Sequence, residues 1–307
     1  MKLLKGKNWF LFFVMLAFVF VSTSALAING DIKIVPVKTP KPVKSFVPIP
    51  ILSENSGFPV ISAQAALAVD LATGISLYEK NPDSALLPAS TTKIVTALVT
   101  LDSYSLDTVL KVGNVKIDGQ KMGLRFGEEM RVEDLLYGLL VFSANDAAEV
   151  LAQGYPEGRE AFVDAMNAKA RQLSLENTRF YNPSGIDGNG HVTTARDLIR
   201  VSEVAMRNPE FAKIVGTKSM TVKSIDGKIA HRLTNINELL GKVDGVMGVK
   251  TGWTEYAREN LVIYLERDGH QIMIALLGSQ DRFGETTELI DWTFENYKWE
   301  EVKPYSP

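Results

Sequence analysis

Between residues 62 and 297 the apolar positions follow two different periods. Around 65–78, two short apolar runs flank Ala72-Thr73-Gly74, and this pattern predicts a β-hairpin. From Ser90 the spacing changes. Ile94, Val95, Leu98 and Leu101 recur at three and four residues, which predicts a helix opening near Ser90. The same helical period runs through 132–153 and 158–173, where Met166 and Ala170 lie one turn apart. Thr194-Ala195-Arg196-Asp197 resembles a capping box and marks another helix start. Two further apolar runs, 260–265 and 271–277, flank Arg267-Asp268-Gly269 as a second hairpin. A closing helix over about 285–297 presents Leu289, Ile290, Trp292 and Phe294. Strands at both ends with helices between them imply an α+β fold, an antiparallel sheet assembled from distant segments and covered by helices. There is no internal repeat.

The N-terminal pattern is different. Lys2, Lys5 and Lys7 precede an unbroken apolar run, 9–21, which leads to Ala25-Leu26-Ala27. Basic start, apolar middle and small-residue end are the parts of a secretory signal. The run to Ile28 is also about the length of a short membrane helix, with its lysines left in the cytoplasm. Residues 1–28 are therefore a signal peptide or an N-terminal membrane anchor, and either one sends the rest of the chain across a membrane. Over 29–61, Pro36, Pro40, Pro42, Pro48, Pro50 and Pro59 alternate with Lys38, Lys41 and Lys44. Such proline density favours extended polyproline geometry, and about thirty residues at roughly 3.1 Å each would reach on the order of 90 Å. A spacer of this kind makes most sense below a tether. One compact domain is expected from 62 to 303.

Composition narrows the chemistry. The 307 residues are 46% hydrophobic and 22% charged, with a net charge of -3, so a sizeable core is expected and the basic footprint of a nucleic-acid binder is missing. There is no cysteine, which removes disulfides, thiol nucleophiles and thiolate zinc sites. The three histidines, His191, His231 and His270, lie far apart without a His-Glu-x-x-His pattern, and no Gly-x-Ser-x-Gly elbow is present.

Three short patterns occur in order: Ser90-Thr91-Thr92-Lys93, Ser143-Ala144-Asn145 and Lys250-Thr251-Gly252. Together they match the Ser-x-x-Lys, Ser-x-Asn and Lys-Thr-Gly set of penicillin-recognising enzymes. The chemistry has a physical basis. A serine hydroxyl needs a base, and residues three apart on a helix share a face, so Lys93 can reach Ser90 Oγ. Burial and the positive charge of Lys250 would lower the pKa of Lys93. Pro88-Ala89 fits a helix start, where backbone N–H groups favour developing negative charge, and the Ser90 N–H is a natural oxyanion donor. Taken singly the patterns are weak. Ser53-Glu54-Asn55 also matches Ser-x-Asn, and it is set aside because it falls in the spacer.

Longer stretches resemble the low-molecular-weight serine D-alanyl-D-alanine carboxypeptidases, peptidase S11. These are 87–97 around the nucleophile, 143–148, then 177–180 with 183–187 and 194–197, and 244–254, the last with two extra residues before its lysine. The resemblance covers roughly 65–297. It implies a β-lactamase/DD-peptidase-like fold, an antiparallel sheet flanked by helices with a second, mainly helical lobe. It implies Ser90 as nucleophile, Lys93 as general base, Ser143 as proton relay to the leaving D-alanine, and Asn145 as holder of a substrate amide and of Lys93. Lys250, Thr251 and Gly252 belong to the substrate-binding strand, with Lys250 and Thr251 on the terminal carboxylate and the Trp253 N–H as second oxyanion donor. The implied partner is a peptidoglycan stem peptide in the cell envelope, with β-lactam antibiotics as covalent inhibitors, the membrane contacted only through an uncleaved N-terminus, and no metal or organic cofactor needed. Arg258 stands where the family commonly has glycine. The chain ends soon after the closing helix, so the C-terminal β-domain and amphipathic helix of many relatives are not expected. Arg282, in Asp281-Arg282-Phe283, reads more readily as a surface ion pair than as a carboxylate ligand.

Three alternatives remain. A DD-endopeptidase would use the same apparatus on cross-links. A class A β-lactamase would typically need a Glu-x-x-Leu-Asn segment, which this chain lacks. An inactive wall-binding scaffold would have no need of both Ser90 and Lys93.

Overall fold

The computed structural model describes residues 47–301, apart from 55 and 189. The apolar run 9–21 and most of the proline-rich segment therefore lie outside the described residues. Among those described, no helix is long and apolar enough to cross a membrane.

In chain order the strands are β1 (Ile49–Leu52), β2 (Ala65–Asp70), β3 (Ser76–Lys80), β4 (Val109–Lys111), β5 (Glu129–Arg131), β6 (Ser219–Lys223), β7 (Ala230–Thr234), β8 (Val246–Thr254), β9 (Arg258–Arg267), β10 (His270–Ser279) and β11 (Tyr297–Glu300). The helices are α1 (Lys93–Ser103), α2 (Val132–Leu140), α3 (Asn145–Gln153), α4 (Arg159–Gln172), α5 (Ala195–Met206), α6 (Pro209–Val215) and α7 (Arg282–Asn296). A 3₁₀ turn, Ala89–Thr92, runs directly into α1.

The main sheet has the order β3-β2-β10-β9-β8, antiparallel throughout, so both expected hairpins form and join across the sheet centre. Alternation along the strands explains why their apolar runs are unbroken. Ile272, Ile274 and Leu276 of β10 pack with Leu289, Ile290 and Trp292 of α7 on one face. Met273, Ala275 and Leu277 face the other core, shared with α1 to α6. Each fully buried large aliphatic side chain contributes about 1.5–3 kcal/mol, so both faces hold the sheet rigidly. β8 is an edge strand, and its free edge lies along the Ala89–Thr92 turn.

Two elements depart from the expected pattern. The folded body begins before residue 62, because β1 pairs antiparallel with β11 although Pro50 lies within it. An edge strand tolerates proline where no ladder partner needs its N–H. Phe58 then packs on Trp292, with ring centroids 5.2 Å apart. The helical period over 132–153 is also interrupted: α2 and α3 are separate, and Ser143 between them has φ +63°. That kink sets Ser143 on the wall of the pocket described next.

Candidate active site

The nucleophile turn is tightly confined. Ala89, immediately before Ser90, has φ +47°, an uncommon left-handed value for a residue with a side chain. Gly252 on β8 comes so close that a Cβ there would meet Ala89 Cβ, Pro88 O and Ser90 N at 3.1 Å. Gly185, at φ +87°, lies against the Ala89 carbonyl on the other side. Asn260, fully buried on β9, donates from Nδ2 to Leu87 O (2.9 Å) and accepts from the Gly278 N–H (2.8 Å), fixing the segment that leads into the turn.

Lys93 is completely buried, with Nζ 2.8 Å from Ser90 Oγ. Its other polar neighbours are Asn145 Oδ1 at 2.7 Å and the Ser184 carbonyl. Burial, and then the charge of Lys250, push the Lys93 pKa well below the usual lysine range, against an opposing pull from Asp146 and Glu149. A neutral amine has two hydrogens and one lone pair. Asn145 Oδ1 and Ser184 O can only accept, so they take the two hydrogens and the lone pair is left facing the Ser90 hydroxyl. The Asn145 amide orientation is fixed by its Nδ2, which donates to Asp118 O at 2.7 Å. The loop carrying Asp118 is fixed in turn by Asp146, whose carboxylate accepts the N–H groups of Met122, Gly123, Leu124 and Ala147 at 2.9–3.0 Å.

The second pair comes from the kink and the edge strand. Lys250, 1% exposed, donates from Nζ to Ser143 Oγ and to Thr251 O, both at 2.9 Å. Burial and the nearby Arg282 guanidinium lower its pKa to about 7. Arg282 does pair with a carboxylate, Glu259, as expected of an ion pair, but it lines the cleft and does not sit on the open surface. Its side chain is only 16% exposed and 3.9 Å from Glu259, and it lies over the Phe283 ring. Nη1 donates to Gly252 O at 3.3 Å, while Nε is buried without a partner. Thr251 Oγ1 is likewise buried and unpartnered. α7 begins at Arg282, and this start brings the guanidinium to the end of β8.

These groups border one cleft of about 700 Å³. Ser90, Ser143, Asn145, Thr251, Gly252 and Trp253 line it, and Lys93 and Lys250 are buried directly behind the two serines. The structure thus brings all eight expected residues together. Arg258 is exposed at φ +58°, a left-handed value that favours glycine, and it lies away from the cleft lining. The bulge before Lys250 leaves Met247 unpaired between Val246 and Gly248. Ser53 bonds to the end of α7 and takes no part in the cleft. The Ser184 and Asp118 carbonyls were not legible as site groups, because backbone acceptors carry no sequence signal.

Fold and site together define a class, the serine hydrolases that carry Ser-x-x-Lys, Ser-x-Asn and Lys-Thr-Gly around one cleft. The D-alanyl-D-alanine carboxypeptidase family, peptidase S11, matches residues 53–281. Similar proteins include the D-alanyl-D-alanine carboxypeptidase DacF of Bacillus subtilis, 30% identical over 77% of this chain. The chain spans 63% of that relative's length. A D-alanyl-D-alanine endopeptidase of Pseudomonas aeruginosa is 35% identical over 78% of both chains. The crystal structure of a D-alanyl-D-alanine carboxypeptidase from Mycobacterium tuberculosis superposes with a TM-score of 0.74 at 33% identity, covering 82% of this chain and 98% of that one. The chain belongs to the D-alanyl-D-alanine carboxypeptidase family. It is a serine-type hydrolase acting on peptidoglycan, and so works outside the cytoplasm.

Proposed function

We propose that the chain removes the terminal D-alanine of peptidoglycan stem pentapeptides through an acyl-enzyme on Ser90. Lys93 takes the hydroxyl proton as Ser90 Oγ attacks the carbonyl of the penultimate D-alanine. The oxyanion accepts hydrogen bonds from the N–H groups of Ser90 and Trp253. Collapse breaks the peptide bond, and Ser143 relays to the leaving amine the proton that Lys93 took, which leaves Lys93 neutral again. Water then hydrolyses the ester and frees Ser90. The second Asn145 N–H is available to a substrate carbonyl.

The observation that carries this reading is the cluster at the β8 end of the cleft. Thr251 and Arg282 line the cleft there, each with a buried polar atom that has no partner, and Lys250 Nζ lies behind on Ser143 Oγ, a set of donors suited to a free carboxylate. A β-lactam presents a carboxylate beside a strained amide and would acylate the same serine. Cleavage of cross-links is the second reading, favoured by the endopeptidase relative, because its substrate also carries a carboxylate beyond the scissile bond. Release of D-alanine from a pentapeptide, measured against cleavage of cross-linked dimers, decides between them. Faster dimer cleavage would overturn the first.

For the N-terminus we propose a retained anchor over 1–28, supported by the basic start, the apolar run and the proline-rich segment before β1. Recovery of a full-length chain in the membrane fraction tests it; a soluble chain beginning after Ala27 would contradict it.

A further inference from the structure

The segment from Phe180 to His191 supplies the Ser184 carbonyl to Lys93, yet it lies outside the three catalytic patterns. One side chain organises it from within. Asn182 Oδ1 accepts from Ser184 N (3.2 Å), Ser184 Oγ (3.1 Å) and Gly185 N (2.7 Å), and its Nδ2 donates to Ile186 O at 2.8 Å. With two backbone donors on one atom and a carbonyl on the other, the amide has only one orientation. The same Nδ2 faces His191 Nδ1 at 3.3 Å. An amide nitrogen only donates, so Nδ1 must be the acceptor and the proton sits on Nε2. Nε2 then donates to Thr92 Oγ1 at 2.9 Å. Thr92 immediately precedes Lys93. One turn further on, Thr96 Oγ1 donates to Pro183 O at 2.6 Å. His191 and Thr92 are each 1% exposed, and the Phe180 ring packs edge-on to the imidazole with centroids 5.7 Å apart.

We propose that His191 is a positioning residue for the nucleophile–base pair. As a neutral imidazole protonated on Nε2, it ties Asn182 to Thr92 and so fixes the Ser184 carbonyl as acceptor of one Lys93 hydrogen. Burial, and then the Lys93 charge, lower the His191 pKa to about 4, so this tautomer persists throughout the working range of a wall enzyme. The charged groups acting on Lys93 are Lys250, Asp146 and Glu149, and His191 adds none while neutral. Its influence is therefore geometric. Without the tie the Ser184 carbonyl drifts, the amine hydrogen it held becomes free, and the lone pair no longer points at Ser90.

The inference rests on Ser90 and Lys93 acting as nucleophile and base, and the test separates the two claims. In the full-length chain, the rate of acylation by a fluorescent penicillin is followed against pH for wild type, His191→Phe, Thr92→Val and Thr92→Ser. Wild-type labelling at Ser90 first establishes the catalytic reading. His191→Phe and Thr92→Val are then expected to lower the plateau rate about tenfold to a hundredfold, the loss typical of a slight misplacement. The acid limb should also move to lower pH, because an ammonium that has lost an acceptor is less stable. Thr92→Ser, which keeps the hydroxyl, should restore both. Acid limbs that stay in place in folded variants, or a serine that fails to rescue, would overturn the role of His191 while leaving Ser90 chemistry intact. If His191→Phe does not fold, the Thr92 pair alone decides.

Discussion

Lys93 Nζ lies 2.8 Å from Ser90 Oγ, three residues along one continuous turn, with both remaining amine directions filled by carbonyl oxygens. Catalytic competence in this site is a matter of how many hydrogens the amine carries. Lys93→Met removes the lone pair while keeping most of the buried volume. Acylation of Ser90 by a β-lactam should fall by about 10²–10⁴, the usual worth of a general base. Stopped-flow labelling checks this, and a variant within tenfold of wild type would rule out Lys93 as the base.

The pH profile follows from the two buried lysines. The Lys93 pKa is lowered, so acylation should rise with pH through that value and keep its general base far below the range of an ordinary lysine. The Lys250 pKa is about 7 in the free enzyme. Substrates recognised through a carboxylate should therefore lose kcat/KM as pH rises above about 7, where Lys250 gives up its charge. A substrate amidated at its C-terminus should lack this alkaline limb. Profiles of the two substrates that coincide on the alkaline side would contradict the assignment.

Arg282 gives a coupled prediction. Arg282→Gln removes a carboxylate partner worth about 1.5–3 kcal/mol, so kcat/KM for a free-carboxylate peptide should fall by about ten- to a hundredfold. The same change removes the positive neighbour that depresses Lys250, so the alkaline limb should shift upwards. Steady-state kinetics across pH reads both effects. A loss of rate with no movement of the limb would show that Arg282 and Lys250 are not neighbours in function.

Gly185 is the tightest backbone position around the nucleophile. A Cβ there would fall on the Ala89 carbonyl, and φ is +87°. Gly185→Ala should cost about 1–3 kcal/mol of backbone strain in addition to the clash, and should abolish labelling by displacing the Ser90 turn. Gly188, with nothing within 4 Å of its notional Cβ, is the control, and Gly188→Ala should label normally. Equal labelling of the two variants would mean that the loop does not brace the turn.

The parts of this site that depend on short-range spacing were legible in the sequence, and those that depend on topology were not. Ser90 and Lys93 meet because a helical turn makes them meet. The hairpins and the closing helix followed from apolar period and turn residues. Ser143 was identified by its motif, but the kink that aims it was hidden by an apolar period running unbroken through 132–153. Arg282 forms an ion pair as expected, but its place in the cleft wall was hidden because its sequence neighbours are Asp281 and Phe283, whereas the strand it meets comes from thirty residues earlier. β1 was obscured by its own proline, which an edge position tolerates. Asn182 and His191 had a faint signal, an Asn-Pro-Ser-Gly turn followed by a histidine that the hydrolase patterns left unused.

The most direct measurement is the intact mass of the protein after brief exposure to benzylpenicillin, with peptide mapping of the product. Addition of one penicilloyl group to the wild-type chain, located on Ser90 and absent in Ser90→Ala, is the expected result. An unmodified wild-type chain, or an adduct that persists in Ser90→Ala, would contradict the acyl-enzyme on Ser90.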